Sequence, residues 1–222
     1  MVAVEALARL RMPNGKLIMP DVFIPVAEDT GIIVPLGAHI LTAAASQLAR
    51  WRHELAPELR CAVNISARQA ARPDLINTIR EALAATGLPA EAIALELTES
   101  ALLEAARSTL NKLHELRDLG VDVGIDDFGT GYASLHYLRQ LPVTFLKVDR
   151  SFVAGMTIDE KDNVIVQTVI RLAHDLDLGC IIEGVETEEQ LQKVITSGAQ
   201  VQGYLFSKPV PADAIAELLP LA

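Results

Sequence analysis

The stretch "GIDDFGTGYASL", Gly124–Leu135, sets two acids side by side at the end of an apolar run and follows them with Gly-Thr-Gly. Alone, Asp126 and Asp127 read as a strand-to-loop turn, because Asp caps turns and Gly supplies positive φ where the backbone reverses. Other runs carry the same kind of interruption: Glu5, Asn64, Glu96, Lys147 with Asp149, Glu183 with Glu186, and Gln202. Each has an ordinary structural reading. Glu5 suits an exposed edge, Asn64 a turn, Lys147 and Asp149 a surface pair, and Glu183 with Glu186 a helix start. Their joint occurrence is harder to dismiss, because carboxylates among apolar strand residues are costly unless something positive binds them. Oxygen-only donors point to hard divalent ions, Mg²⁺ or Mn²⁺, rather than zinc. Two such ions suit in-line attack on a phosphodiester, where metals activate water and steady the leaving oxygen. A base such as Glu183, or Lys147, would complete that chemistry.

Groups scattered this widely meet only if regular elements carry them to one place. Short β-branched runs alternate with stretches of helical period, the signature of βα units around a parallel sheet. The runs predict seven strands, at Val2–Ala8, Ala62–Ser66, Ala92–Thr98, Asp122–Asp127, Thr144–Asp149, Gly179–Gly184 and Ala199–Phe206. Helices are expected in "LGAHILTAAASQLARWRHEL", "RPDLINTIREALAATG", "EAARSTLNKLHELRDLG", "KDNVIVQTVIRLAHDLDL" and "TEEQLQKVITSG". Strand side chains alternate, so Asn64 shares a face with Ser66, and Glu96 shares one with Thr98 opposite Leu95 and Leu97. On the same rule, Asp126 is expected to end its strand and Asp127 to begin the loop, leaning back over one mouth. The fold class is α/β, a (β/α) barrel of TIM type with its active groups at the carboxyl ends of the strands. Eight strands close such a barrel, and one is unaccounted for.

The bulk properties narrow the function. A chain of 222 residues, half of them apolar, supports one sizeable core, and no linker-like stretch divides it, so residues 1–222 are read as one domain. A net charge of -10 argues against holding long nucleic acid on the bare surface. Cys61 and Cys180 lie in apolar runs without metal-ligand spacing and are read as free thiols in a reducing compartment, the cytoplasm. His39, His53, His114, His136 and His174 fall in helical patterns and are read as surface or packing residues. No signal core opens the chain, and no unbroken apolar run reaches the roughly eighteen residues of a membrane span. The "GTG" is no nucleotide-binding P-loop, since no Lys-Ser/Thr follows it.

In order along the chain stand "EAL" at Glu5–Leu7, then "FIPVAEDTG", "VNIS", "LELTES", "DDFGTGYASL", "LKVDRSF", "EGVET" and "QGYLFSKP". From about Val2 to Pro211 the chain resembles the EAL domain family. The resemblance implies a modified TIM barrel that hydrolyses cyclic di-GMP to linear pGpG with Mg²⁺ or Mn²⁺. It implies Glu5, Asn64, Glu96 and Asp126 as metal ligands, Asp127 as holder of a second metal, and Lys147 near the attacking water or metal-bound oxygens. Glu183 matches the general base, and Gln202 a group near the metal and guanine site. Glu99 matches the anchor of the loop that begins at Asp127. Gly129, Thr130 and Gly131 would let that loop adjust over the substrate and at a dimer face, and Asp149 and Glu186 match further polar positions at the rim. Calcium, with longer and looser coordination, is expected to inhibit.

The chain also departs from the family pattern. Members usually begin one strand earlier, which accounts for the missing eighth strand and predicts an open barrel edge that favours a homodimer. "GAQVQGY" is one residue shorter than usual, which is expected to affect the register of the strand carrying Gln202. Ile182 stands where Ala is usual, and Arg9-Leu10 where Arg-Trp is usual. Two functions therefore compete. The intact acids and Lys147 favour the phosphodiesterase; the short start favours a weak or inactive module that senses cyclic di-GMP or a protein. A sensory or GGDEF-type domain in a longer parent is a further expected partner.

Overall fold

In a computed structural model, which describes residues 2–104, 110–131 and 138–219, the seven expected runs become seven parallel strands of one curled sheet with helices outside it. They are β1 (Ala3–Ala6), β4 (Arg60–Asn64), β5 (Ile93–Thr98), β6 (Asp122–Phe128), β7 (Phe145–Val148), β8 (Gly179–Ile182) and β9 (Gln200–Val201), and their order in the sheet is their order in the chain. β1 and β9 are the edge strands of this modified (β/α) barrel. Between β1 and β4 a small antiparallel hairpin, β2 (Leu10–Arg11) and β3 (Leu17–Ile18), turns at Asn14-Gly15. The helices are α1 (Pro20–Thr30), α2 (Ile33–Glu54), α3 (Ala67–Ala70), α4 (Leu75–Thr86), α5 (Glu99–Glu104), α6 (Leu110–Leu119), α7 (Arg150–Gly155), α8 (Glu160–Asp175) and α9 (Glu188–Val194).

Five of the expected strands are shorter than their apolar runs, the second is shifted two residues toward the N-terminus, and the fourth is one residue longer. The last run leaves the sheet after Val201, because Gly203 packs against the backbone of Val185; a Cβ there would lie 2.1 Å from the Val185 carbonyl oxygen. The first run stops at Ala6 instead of Ala8. β6 continues to Phe128, so Asp127 belongs to the strand and not to the loop. That correction has a local cause, a register shift between Ile125 and Phe128 with Asp127 at φ 54.

Register decides which side chains meet inside. Parallel pairing sets Glu5 beside Ala62, Asn64 beside Glu96, Glu96 beside Gly124 and Thr98 beside Asp126. Alternation then puts these on the inner face, while Leu95, Leu97, Val123 and Ile125 take the outer face and are almost completely buried. Gly124 is needed for this packing, since a Cβ there would lie 2.1 Å from the Phe145 ring. Outside, α2 buries Leu41, Ala45, Leu48 and Trp51, a spacing of four, three and three residues that keeps one stripe toward the sheet. Truncating the fully buried Leu48 to Ala should cost roughly 2–5 kcal/mol.

His39, His53, His114 and His174 are exposed, as expected of surface residues; His136 lies outside the described residues. Both cysteines are free thiols pushed up to about 12 by burial, so neither is a ready nucleophile. No described helix is long and apolar enough to cross a membrane.

Candidate active site

Each of the seven parallel strands delivers a polar side chain to the carboxyl end of the sheet: Glu5, Asn64, Glu96, Asp126 with Asp127, Lys147, and, one residue past their strands, Glu183 and Gln202. Lys147, 1% exposed, is the hub. Its Nζ lies 2.5 Å from Glu183 Oε1, 2.7 Å from Glu96 Oε2, 3.2 Å from Asp126 Oδ1 and 3.5 Å from Glu5 Oε2. Burial alone would depress its pKa, but the charges of Glu96, Glu5, Asp126 and Glu183 outweigh burial and hold it above its ordinary value.

One ammonium cannot offset four carboxylates, and the excess falls on the acids. Burial pushes Glu96 up to about 8, against the pull of Lys147 and with Glu5 adding repulsion. Burial pushes Glu183 up to about 7 by the same balance, with Asp126 as the repelling charge. Asp127 rises to about 6 through burial and the charges of Asp126 and Asp149. Asp149, which hydrogen-bonds Asp127, goes the other way: burial opposes its charge, but the Ser151 hydroxyl and the Ser151 N–H, the latter at 2.9 Å, hold it below the ordinary value.

Asp126, Asp127 and Glu183 each offer a carboxylate oxygen within 4.8 Å of the others. Adjacent strand residues should face opposite ways, and the bulge with Asp127 in the left-handed region is what brings both aspartates to one side. All donors in this half-buried triad are hard oxygens, and the surrounding carboxylates carry more charge than Lys147 balances. Such a set fits a divalent cation.

The loop after Asp127 is tied to a buried acid. Glu99 Oε2 accepts from the N–H of Gly129 at 3.1 Å and of Gly131 at 3.3 Å, and a Cβ on Gly131 would lie 2.6 Å from Glu99 Oε1. Thr130 Oγ1 donates to the Asp127 carbonyl at 2.8 Å. The expected dimer face runs on into residues 132–137, which lie outside the described residues. Glu5 is held from both sides: Asn64 Nδ2 donates to Oε1 at 2.8 Å, and Gln202 Nε2 donates to Oε2 at 2.7 Å across the opening between β1 and β9. Glu186 is exposed, and it is its backbone N–H that is engaged, by Gln190 Oε1 at 2.8 Å.

Two buried glutamines escaped the sequence reading. Gln69 and Gln190 each close a capping box just past a strand that serves the mouth, with Ser66 and Thr187 as partners. The signal was present as Ser66-Ala-Arg-Gln69 and Thr187-Glu-Glu-Gln190, the S/T-x-x-Q pattern of a helix start.

Residues 1–209 match the EAL domain. The chain belongs to the EAL domain family. It is similar to the cyclic di-GMP phosphodiesterase NbdA of Pseudomonas aeruginosa, with 44% identity over 97% of this chain and 28% of that protein. It is also similar to the bifunctional diguanylate cyclase/cyclic di-GMP phosphodiesterase MucR of that organism, with 40% identity over 97% of this chain and 32% of that protein. The EAL domain here thus spans about a third or less of these relatives. Among solved structures, the MucR phosphodiesterase in complex with c-di-GMP superposes with a TM-score of 0.92 at 40% identity, covering 97% of this chain and 87% of that one. The EAL enzyme Bd1971, bound to cAMP and cyclic-di-GMP, gives 0.94 at 35% identity, covering 99% and 60%.

The departures noted in the sequence have definite places in this EAL domain. Ile182 is fully buried and pairs with Val148 and Val201, so its bulk enters the outer core rather than the mouth. Despite the shortened "GAQVQGY", Gln202 N–H donates to the Ile182 carbonyl at 2.9 Å, and its side chain reaches Glu5.

Proposed function

We propose that this EAL domain hydrolyses cyclic di-GMP to linear pGpG with Mg²⁺ or Mn²⁺. The observation that carries the reading is the convergence of Asp126, Asp127 and Glu183 within 4.8 Å, beside the ammonium of Lys147. The names of NbdA and MucR supply the substrate. Divalent ions held by oxygen donors polarise a phosphodiester and make bound water more acidic. Glu5, Asn64, Glu96 and Asp126 are assigned to one ion and Asp127 to a second. Glu183, poised at about 7, takes the proton of the attacking water, since a base near the working pH both captures and releases it. Lys147 offsets charge on the phosphodiester oxygens. Asn64 and Gln202 hold Glu5 in place, and Gln202 is assigned a place near the guanine. Glu99 keeps the Gly129–Gly131 loop over the mouth, and Asp149 and Glu186 complete the polar rim.

The same reading extends to the setting. The greater length of the relatives supports a sensory or GGDEF-type domain beside this one in a parent chain, and the two free thiols suit the cytoplasm. A homodimer would use the region after Asp127; light scattering at micromolar concentration tests it, and a fully active monomer refutes it.

The deciding experiment incubates the purified chain with cyclic di-GMP and either ion and follows pGpG by chromatography. EDTA should abolish turnover, Mg²⁺ or Mn²⁺ should restore it, and Ca²⁺ should inhibit. Turnover indifferent to EDTA removes the metal assignment. Tight binding without turnover replaces the enzyme by a sensor.

A further inference from the structure

The segment Glu183–Thr187 is laid against one short stretch of chain, Val148–Val153. Glu183 N–H donates to the Val148 carbonyl at 3.2 Å. Gly184, at φ +71, lies so close to α7 that a Cβ would sit 2.6 Å from Arg150 Cβ. Buried Gln190 completes the attachment: its Oε1 accepts from the N–H of Glu186 at 2.8 Å and of Thr187 at 3.0 Å, and its Nε2 donates to the Val153 carbonyl at 3.1 Å. A capping box needs only the bond to Thr187 N–H and the return bond from Gln190 N–H to Thr187 Oγ1. The bonds to Glu186 and Val153 go beyond helix capping and tie the segment to α7.

The other side of α7 touches the other loop. Phe152 lies against Gly129, where a Cβ would sit 3.0 Å from the ring, and Gly129 N–H is one of the two amides held by Glu99. A short helix therefore stands between the segment carrying Glu183 and the loop following Asp127, in contact with both.

We infer that Gln190 is a positioning residue which, through α7, fixes Glu183 relative to Asp127 and so sets the affinity of the carboxylate triad for a divalent ion. This rests on the metal-binding reading above and adds a residue that touches no member of the triad.

Gln190→Glu separates the bridge from the cap. Glu serves a capping box as well as Gln does, but it presents an acceptor to the Val153 carbonyl where a donor is needed. Mn²⁺ titration of the intact chain should show affinity weakened about tenfold or more, as for other groups that orient metal ligands, with kcat lowered and KM nearly unchanged. Thr187→Ala, which removes the opposite half of the cap and leaves the bridge, should keep Mn²⁺ affinity within about twofold of wild type. Wild-type affinity in Gln190→Glu, or equal weakening in both variants, overturns the inference. Phe152→Ala cuts the link at its other end and should weaken Mn²⁺ binding in the same direction; wild-type affinity there overturns it even where Gln190→Glu does not fold. Amide exchange on the metal-free protein tests the link independently of any ion. Gln190→Glu should speed exchange at Gly129 and Gly131, across α7, and unchanged exchange there sinks the coupling. Failure of the wild-type chain to bind Mn²⁺ would instead remove the metal reading.

Discussion

Lys147 and Glu96, at the centre of the rim, are each 1% exposed and meet at 2.7 Å; Gln202 and Glu5, at its two edges, also meet at 2.7 Å but within reach of solvent. Equal lengths conceal unequal stakes. Removing one partner of a buried ion pair leaves a charge with no water to turn to, typically about 3–5 kcal/mol, whereas an exposed hydrogen bond is worth about 1 kcal/mol. The centre is a charged constellation gathered around one buried ammonium. The edge is an amide's hydrogen bond to a single carboxylate, made between β1 and β9, which share no backbone ladder among the described residues.

Lys147→Met should break this contrast most severely. It leaves Glu5, Glu96, Asp126 and Glu183 without their shared cation, so denaturant melts of the metal-free protein should show a loss of about 3–5 kcal/mol, and turnover should vanish. A loss below about 1 kcal/mol would put the centre on the same footing as the edge.

Glu183→Gln sharpens the centre into separate roles. It keeps size and removes basicity, so turnover should fall at least roughly a hundredfold with little change in affinity for cyclic di-GMP itself, even though the triad loses one charged oxygen. Near-normal turnover would move the base to another group.

The pH dependence of stability belongs to the centre as well. Glu96 at about 8, Glu183 at about 7 and Asp127 at about 6 are all raised by burial. Between the ordinary carboxylate range and these values the fold binds more protons than the unfolded chain, so stability falls as pH rises. The melting temperature in EDTA should therefore drop between about pH 5 and pH 8, and Mn²⁺ should recover more of it at pH 8 than at pH 6. A melting temperature that climbs over that window contradicts the charge excess.

Gln202→Ala should have the smallest effect, about 1 kcal/mol or less in the same melts. A loss matching Lys147→Met would make the edge tie structural in its own right.

How much of this was readable beforehand follows the range of the interactions. The seven parallel strands were legible because each is a short apolar run between helical periods, and the mouth residues because each interrupts such a run. α1 was hidden by Pro25, which sits inside it, and β2 and β3 are two residues each, too short for a strand signal. Alternation placed Asp127 in the loop, because nothing local announces that an aspartate will adopt φ 54 inside a bulge. The four-way environment of Lys147 depends on the register of several strands, and the Gln190 bridge to Val153 spans 37 positions. A cap signature reveals such a glutamine but not the distant carbonyl it will meet.

Because sheet order repeats chain order, every strand pairing joins sequential neighbours of the sheet, whereas the bond from Gln202 to Glu5 reaches across 197 positions. Such a chain can lay down its sheet one unit at a time, each step closing only a modest loop. The mouth, however, draws on the first strand and on the residue just past the last. Refolding should therefore recover helical signal well before catalytic competence. During synthesis, Glu5 leaves the ribosome nearly two hundred residues ahead of the amide that will hold it, so for most of the chain's emergence the growing sheet carries its acids with their closing partner still unmade.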